Sequence, residues 1–437
     1  MNVSAALYTF INIHAEDDLA QLLLAAGRYP EVDVPFAVEQ IRARRYIRDK
    51  LPTWYRNEAL LFPSKMAVEQ CSSEQTALYK QRLLQNARHV CDLTGGLGVD
   101  ASIFALKANH VTYIERLKPC FDIAMFNFKQ LKIQNITGHN DDAATVFGKI
   151  KEVDMFYIDP SRRDAANSRF IALSDCEPDI AQLMPGLLAV APKVMAKLSP
   201  MLDISHTLAL LPETTEIHVV SVKNECKELL FVCERDGDDF ASRQGRDDFR
   251  SRHGSEDFLG LNRSDLFWKQ RDNEVCDPVI HCINFTSAGI EQNFSFTLSD
   301  EQSEACKIGS TVQTYLYEPN ASILKAGGFK QTAIRTNVEK LHKNSHLYTS
   351  SSLIEDFPGR IFKVEEVLPF STKTFKQLHR IVPQANIAVR NFPLTVSELR
   401  RRTRIADGGE TYLFATTLAD ESKVLIVCKK SVAGSYA

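Results

Sequence analysis

The sequence lacks several features that would each assign it to a class of proteins. It has no run of about 18 apolar residues, so we predict no membrane-spanning helix and no membrane partner. Its ten cysteines are scattered and none forms a Cys-x-x-Cys pair, which argues against a zinc ribbon or a disulfide scaffold and for buried thiols in a reducing cytoplasm. The formal net charge is only -3, so any surface that binds nucleic acid must be a local patch.

Histidine and cysteine also lack the spacing of a metal site. The pairs considered are His281 with Cys282, His342 with His346, and His89 with Cys91, and none matches a ligand pattern, so we predict no structural metal. A cysteine beside a plausible base in a loop is missing as well, which argues against a mechanism with a covalent cysteine intermediate.

The length of 437 residues is too great for one ordinary core and predicts roughly three domains. We predict an N-terminal helical region at 1–84, an α/β domain at 85–235, an insertion at 236–272, and α+β segments at 273–357 and 358–437. The insertion repeats an acidic-acidic-Phe motif every nine residues, at Asp238–Phe240, Asp247–Phe249 and Glu256–Phe258. It is too polar to offset its ordering entropy, so we predict disorder, with an interaction tail as the alternative.

Within the helical region, the segment CSSEQTALYKQRLL predicts a helix whose Ser72 and Gln75 have capping-box spacing. From Arg88 onward, short apolar strands alternate with helical patterns, which is typical of a parallel sheet. The last two strands, Glu216–Val222 and Leu229–Glu234, are separated by only six residues, so they must be antiparallel. Five βα units followed by an antiparallel pair is the strand plan of class I methyltransferases.

The strongest local signal is the segment VCDLTGGLGVD. A strand ends at Asp92, and Thr94, Gly95, Gly96 and Gly98 form a turn before the next helix. Glycines allow a ligand to approach the backbone closely. A dinucleotide fingerprint requires a third glycine where this sequence has alanine, so we rank a dehydrogenase last.

Three further acidic residues, which end or follow two of the predicted strands, strengthen the prediction of a nucleotide-like ligand. Glu115 ends the second strand, 23 residues beyond Asp92, where a carboxylate can accept both ribose hydroxyls of an adenosine. Asp141 and Asp142 follow the third strand and are placed to accept from an adenine amino group. The pattern does not separate the two, and either is also a candidate N-cap of the next helix.

The segment MFYIDPSRRD supplies the candidate transfer site. Asp159, Pro160 and Ser161 follow an apolar strand, and a carboxylate there can hold an exocyclic amine or receive its proton. An Asp that merely starts a turn before proline is the alternative. Arg162 and Arg163, beside this turn, are candidates for gripping phosphate.

A second basic cluster lies near the C-terminus. From Arg360 to Ala437 there are 13 Lys and Arg against 7 Asp and Glu, a local charge of +6. Within this segment the candidates for RNA contact are Arg400, Arg401, Arg402 and Arg404. The basic helix around Ile41 we interpret instead as a solvated face.

The motifs DLTGGLGVD and IDPS, with the acid at Glu115, resemble those of class I S-adenosylmethionine-dependent methyltransferases. The Asp-Pro turn is similar to the Asp-Pro-Pro-aromatic motif of nucleic-acid amino methyltransferases, although Ser161 and Arg162 replace its last two residues. The whole layout resembles bacterial methyltransferases with C-terminal ferredoxin-like and THUMP-like domains, represented here by YLYEPNASILKAGGF and RTRIADGGETYLFATT respectively.

This resemblance implies an α/β fold with a Rossmann-like seven-stranded sheet, preceded by helices and followed by two small α+β domains. It implies that Asp92, Gly96, Gly98 and Glu115 bind S-adenosylmethionine and that Asp159 and Pro160 line the transfer site. We therefore predict a cytoplasmic methyltransferase that modifies a base in structured tRNA or rRNA. The alternatives are a small-molecule methyltransferase and a non-catalytic RNA-binding protein with a degenerate methyltransferase fold.

Overall fold

The computed structural model describes residues 4–162, 173, 176–235 and 277–431. The nine-residue repeat and Arg163 lie outside these residues. The chain divides into two compact units. The N-terminal unit comprises Met1–Leu198, Ser205–Thr214 and Val232–Glu274, and the C-terminal unit comprises Ser199–Ile204, Thr215–Phe231 and Val275–Ala437. Among the described helices, none has both the length and the apolar character needed to cross a bilayer, and the nine cysteines described are free thiols.

The N-terminal unit begins with six α-helices, and all but the fourth start at a Ser or Asp side chain that accepts a hydrogen bond from the backbone of the first turn. They are α1 (Ala5–Ile13), α2 (Leu19–Leu24), α3 (Val34–Ile47), α4 (Pro52–Arg56), α5 (Lys65–Gln70) and α6 (Glu74–Arg82). The carboxylate of Asp33 accepts from the Phe36 N–H at 3.1 Å, and Pro35 lies in the first turn of α3, where its missing N–H costs nothing.

The predicted cap of α6 is wrong by one residue. Ser73, and not Ser72, is the N-cap, since its hydroxyl accepts from the Thr76 N–H at 3.2 Å. Ser72 is buried and donates instead to the carboxylate of Asp100 at 2.7 Å. A polar residue assigned to local capping therefore serves a long-range contact.

A parallel sheet follows the helices. Its strands, together with a separate antiparallel pair formed by β5 and β6, are β1 (His89–Asp92), β2 (His110–Ile114), β3 (Ile136–His139), β4 (Met155–Ile158), β5 (Ser161–Arg162), β6 (Cys176–Glu177) and β7 (Lys193–Leu198). The helices between and after them are α7 (Val99–Phe104), α8 (Lys118–Gln130), α9 (Ala143–Val146), α10 (Ile180–Val190) and α11 (Ile204–Leu210).

Five of these strands are parallel neighbours in the order β7-β4-β1-β2-β3, and β5 pairs only with β6. The chain leaves β1 towards β2 and β3, then returns to the other side of β1 to form β4 and β7. The direction of winding reverses between β1 and β4, and in open α/β sheets ligands bind at the carboxyl edge of such a switch point. Asp92 and Asp159 lie at the ends of these two strands.

The N-terminal helices and the glycine turn share a core. Leu51, Trp54 and Phe62 from the helical region are buried in one cluster with Leu97 and Val99, which flank Gly98. Burying apolar side chains on both sides of this contact stabilises the turn from behind. The helices thus support the loop that the sequence analysis assigned to ligand binding.

The C-terminal unit contains four strands of a nine-stranded sheet and the whole of a seven-stranded one. Its elements, including two strands that extend into the other unit, are β8 (Thr214–Val222), β9 (Glu225–Glu234), β10 (Val279–Phe285), β11 (Glu291–Thr297), α12 (Leu298–Ser303), β12 (Tyr315–Pro319), α13 (Ala321–Ala326), α14 (Phe329–Thr336), β13 (Glu339–Lys340), β14 (Tyr348–Ser350), β15 (Gly359–Pro369), α15 (Thr372–Ile381), β16 (Asn386–Arg390), α16 (Val396–Thr403), β17 (Thr411–Thr417) and β18 (Lys423–Lys430).

Strands β8 and β9 form the predicted antiparallel pair, joined by a tighter turn than expected. Only Lys223 and Asn224 connect them, both with positive φ (52° and 61°), as a two-residue hairpin requires. The strand count was wrong, because β10 adds in parallel to β8 and β11 adds antiparallel to β10. These two strands extend the sheet beyond the seven predicted.

The second sheet has seven strands in the order β13-β14-β12-β15-β18-β17-β16. Alternating residues of β17 and β18 face opposite sides, so that Leu413 and Leu425 pack in one core and Phe414 and Ile426 in another. Helices α15 and α16 cover the face of Leu413 and Leu425. Their other faces are rich in exposed basic residues.

Candidate active site

The turn after β1 can accommodate only glycine at two positions. A Cβ on Gly95 would lie 2.0 Å from Cε2 of Tyr113. Gly98 has φ +82°, and a Cβ there would meet the Phe128 ring at 2.6 Å. Close packing explains the glycine at position 95, and close packing together with a left-handed backbone explains the glycine at position 98.

Glu115 holds the glycine turn against the end of β2. Its Oε2 accepts from the Gly96 N–H at 2.8 Å and its Oε1 from the Leu117 N–H at 2.6 Å. Tyr113 completes the contact by donating its hydroxyl to the Gly96 carbonyl at 2.6 Å. We call Glu115, Gly96 and Leu117 the carboxylate clasp. Each Glu115 oxygen keeps a second lone pair after these bonds.

Asp92 is buried at the end of β1, where its Oδ1 accepts from the Thr94 N–H at 3.1 Å. Burial raises the pKa of Asp92 well above its usual range, and the nearby carboxylates of Asp100 and Asp159 raise it further. Asp92 therefore shapes the start of the turn from inside the protein.

Asp141 and Asp142 both remain exposed after β3, and their roles differ. Asp142 is the N-cap of α9, accepting from the Ala144 N–H at 2.8 Å, which was the alternative raised for this pair. Asp141 accepts from the Asp142 N–H at 2.8 Å.

Asp159 follows β4 and connects three elements of the sheet edge. Its backbone N–H donates to Oγ1 of Thr94 at 2.6 Å, which ties it to the glycine turn. Its Oδ2 lies 2.5 Å from Nζ of Lys197, near the end of β7. The Asp159 side chain is 31% exposed and that of Lys197 13%, so the pair is partly shielded from water while the carboxylate stays accessible.

Lys197 was missed by the sequence analysis, although its sequence context carried a signal. A lysine within the otherwise apolar strand segment VMAKL needs a partner when its side chain is largely buried. Pro160 is half-buried beside Asp159, and Ser161 is exposed in β5, which pairs with β6. The side chain of Arg162 and all of Arg163 lie outside the described residues.

A second buried ion pair was also missed. Lys80 of α6 is fully buried and lies 2.9 Å from Oδ1 of Asp100, whose Oδ2 accepts from Ser72 at 2.7 Å and from the Tyr157 hydroxyl at 2.9 Å. Burial acts to raise the pKa of Asp100, but the charges of Lys80 and Lys197 and the hydrogen bonds outweigh it and lower that pKa. We call Lys80, Asp100, Ser72 and Tyr157 the buried network.

The four candidate arginines of the C-terminal unit fall into two groups. Arg400 is half-buried, pairs with Asp407 and donates to the Ala385 carbonyl at 3.2 Å, so it supports the fold locally. The exposed arginines are Arg401, Arg402 and Arg404. Exposed basic side chains of the neighbouring helix α15 add to them: Lys373, Lys376 and Arg380. A groove beside them is lined by Phe370, Ser371, Thr372, Phe375, Lys376 and Arg402.

Comparison with known proteins gives matches to the C-terminal segments and to the whole chain. A ferredoxin-like domain family model matches residues 315–358, and a THUMP domain-like model matches residues 359–430. The crystal structure of a candidate methyltransferase from Porphyromonas gingivalis W83 is 34% identical, covers 99% of this chain and 100% of its own, and superposes with a TM-score of 0.81.

Two other solved structures each match part of the chain. TrmN from Thermus thermophilus is 17% identical over 39% of this chain and 51% of its own, with a TM-score of 0.31. The candidate methyltransferase yhhF from Escherichia coli is 16% identical over 37% of this chain and 85% of its own, with a TM-score of 0.28. Among curated proteins, no significant match was found.

Proposed function

The chain belongs to the methyltransferase family of the Porphyromonas gingivalis protein, with ferredoxin-like and THUMP-like domains at its C-terminus, and on that premise we propose that it transfers the methyl group of S-adenosylmethionine to a base in RNA. The observation that supports S-adenosylmethionine as the cofactor is the carboxylate clasp. Glu115 is 8% exposed at the tip of β2, and the spare lone pairs of its oxygens suit the two hydroxyls of a ribose.

The residues around the clasp fit the rest of such a cofactor. Gly96 is partly exposed, and a Cβ built on it would meet nothing nearer than the Thr94 carbonyl oxygen at 3.9 Å, so the backbone of the turn is open to a ligand at this position. Asp141 and Asp142 are exposed carboxylates at the end of β3, next along the same sheet edge, and either suits an adenine amino group. Thr94 connects this pocket to Asp159 through one hydrogen bond.

Asp159 is our candidate for orienting the acceptor. When bound, S-adenosylmethionine supplies a methyl group already activated by its sulfonium. Asp159 would hold an acceptor N–H in line and take up its proton, and Lys197 would fix the direction of the carboxylate. Pro160 stiffens the turn that carries it.

Replacing Glu115 with alanine is expected to raise the dissociation constant of S-adenosylmethionine by about tenfold to a hundredfold. Hydrogen bonds to a charged group are each worth about 1.5–3 kcal/mol, and the variant loses those to the ribose. Isothermal titration with S-adenosylmethionine and with S-adenosylhomocysteine measures the change.

Glu115→Gln and Asp122→Ala are the matched controls for this experiment. The glutamine keeps an acceptor for one backbone N–H, so it separates a loss of the turn from a loss of the ligand contact. Asp122 is an exposed acid on α8 that pairs with Lys118, and its removal should leave affinity unchanged. Wild-type protein with no affinity for either ligand would refute the proposed cofactor.

The exposed basic surface of α15 and α16 supports RNA as the substrate. Simultaneous Arg401→Ala and Arg402→Ala substitutions should weaken binding of tRNA or rRNA fragments and reduce the slope of log affinity against log salt by about 2, roughly one per phosphate contact. Binding assays over a salt series measure that slope. Lys227→Ala with Lys307→Ala, two exposed lysines of the same unit, is the charge-matched control. Absence of RNA affinity in the wild type would favour a small-molecule acceptor.

A further inference from the structure

Strands β8 and β10 bring together three side chains with the chemistry of a metal site. His218 and His281 are direct partners in the parallel register, and their rings stack with centroids 4.6 Å apart and planes 15° from parallel. Glu216 is two residues before His218 and so points to the same face of the sheet. One ligand atom from each of Glu216, His218 and His281 lies within 4.8 Å of the other two.

The distance between two of these atoms already suits coordination of one ion. Oε2 of Glu216 and Nε2 of His218 are 3.0 Å apart. Two ligand atoms about 2.1 Å from the same metal lie roughly 3.0 Å apart at a right angle and about 3.4 Å apart at the tetrahedral angle. The ligand atom of His281 lies within 4.8 Å of these two atoms, and binding of one ion requires the stacked His281 ring to turn towards them.

A hydrogen bond on the outer side of His281 prepares it as a ligand. Its Nδ1 lies 2.9 Å from the hydroxyl oxygen of Ser295, its register partner on β11. With Nδ1 donating its proton to that oxygen, the lone pair of the imidazole is on Nε2. Such outer contacts fix the tautomer and orientation of metal-binding histidines. His218 is 3% exposed, which shields the centre of the cluster from bulk water.

We propose that Glu216, His218 and His281 form a binding site for a divalent transition metal ion, with Zn²⁺ as the best fit. Two imidazole nitrogens and one carboxylate oxygen suit Zn²⁺ or Co²⁺ better than Mg²⁺ or Ca²⁺, which prefer sets of oxygen ligands. The ion would join β8 to β10 and would leave a further position for water. The prediction of no metal compared His281 only with its sequence neighbour, whereas its partner here is His218 on another strand.

The test is titration of chelator-treated full-length protein with Co²⁺ and Zn²⁺ alone. We expect one equivalent of Co²⁺ to give visible d–d absorption without the intense near-ultraviolet band of a cobalt–thiolate bond, and Zn²⁺ to raise the melting temperature. His281→Ala and Glu216→Gln should each weaken binding at least tenfold and remove the thermal shift. His110→Ala is the control, because His110 forms a similar His–His pair with His89, at 4.9 Å, outside any such cluster among the described residues.

Two results would overturn the site. A thiolate band on Co²⁺ addition would place the metal on cysteines, and unchanged affinity in both His281→Ala and Glu216→Gln would leave the cluster as a hydrogen-bonded pair with a stacked histidine. The Glu216→Gln variant keeps the size and a hydrogen-bond acceptor of the native side chain, so a folding failure of His281→Ala does not prevent a decision.

Discussion

Replacing Asp159 with alanine should reduce methyl transfer by a factor of about 10² to 10⁴ and leave the affinity for S-adenosylmethionine within about twofold. General acid–base groups contribute rate factors of that size, and Asp159 touches the glycine turn only through its backbone N–H, which the variant retains. Single-turnover assays with RNA, combined with titration of the cofactor, measure both quantities. A parallel loss of rate and of cofactor affinity would contradict the role of Asp159 at the acceptor.

Lys197→Met is the companion variant, and Lys193→Met is its matched control. Both lysines lie on β7 and pair with an acid at 2.5 Å, Lys197 with Asp159 and Lys193 with Glu234. Lys197 is a positioning residue, so its loss should lower kcat more than it raises KM. Lys193→Met should leave both kcat and KM unchanged.

Replacing Lys80 with methionine should destabilise the protein by about 3–5 kcal/mol at neutral pH. The substitution removes the ion-pair partner of the buried Asp100 carboxylate and leaves it with its hydroxyl partners, and breaking one side of a buried pair costs that much. Chemical denaturation followed by circular dichroism measures the change in the free energy of unfolding. Lys65→Met, which opens an exposed pair with Glu69, should change it by less than about 1 kcal/mol.

The destabilisation should depend on pH in a defined direction. Because the pKa of Asp100 is lowered in the folded protein, its ion pair stabilises the fold fully above the ordinary value of 3.8 and is lost as the pH falls through the lowered value. In Lys80→Met, protonation removes the unpaired charge of Asp100. The difference in the free energy of unfolding between the variant and the wild type should therefore become smaller towards acid pH. Adding Asp100→Asn to Lys80→Met should recover part of the stability, and a difference that widens in acid would disprove the ion-pair account.

The α/β part of the fold was predictable because its apolar strands and glycine turn are local signals. The antiparallel pair of β8 and β9 followed from the short connection between the two predicted strands alone. The ferredoxin-like and THUMP-like segments were identified by resemblance, and family models match both. Helix α15 was missed, although its last turn is basic like that of α16.

What could not be predicted depends on pairing between distant residues. Lys197 and Lys80 each look like an isolated lysine in sequence, and only the sheet order brings them to Asp159 and Asp100. The extension of the sheet by β10 depends on a register with β8 that periodicity does not encode. The assignment of Ser72 to a helix cap failed for the same reason, since its partner Asp100 is 28 residues away.

Glu318 connects the ferredoxin-like segment to the THUMP-like segment. This buried residue of β12 lies in the ferredoxin-like segment, yet it accepts from Arg360 of β15 and lies 2.6 Å from Arg390 of β16, both in the THUMP-like segment. Strands β12 and β15 also pair edge to edge. Separating the two segments between residues 358 and 359 would therefore leave Arg360 and Arg390 without their carboxylate partner and would expose the edge of β12 that pairs with β15. The segments matched by the two family models therefore share one sheet, and we expect gene fusion or exchange to transfer them together.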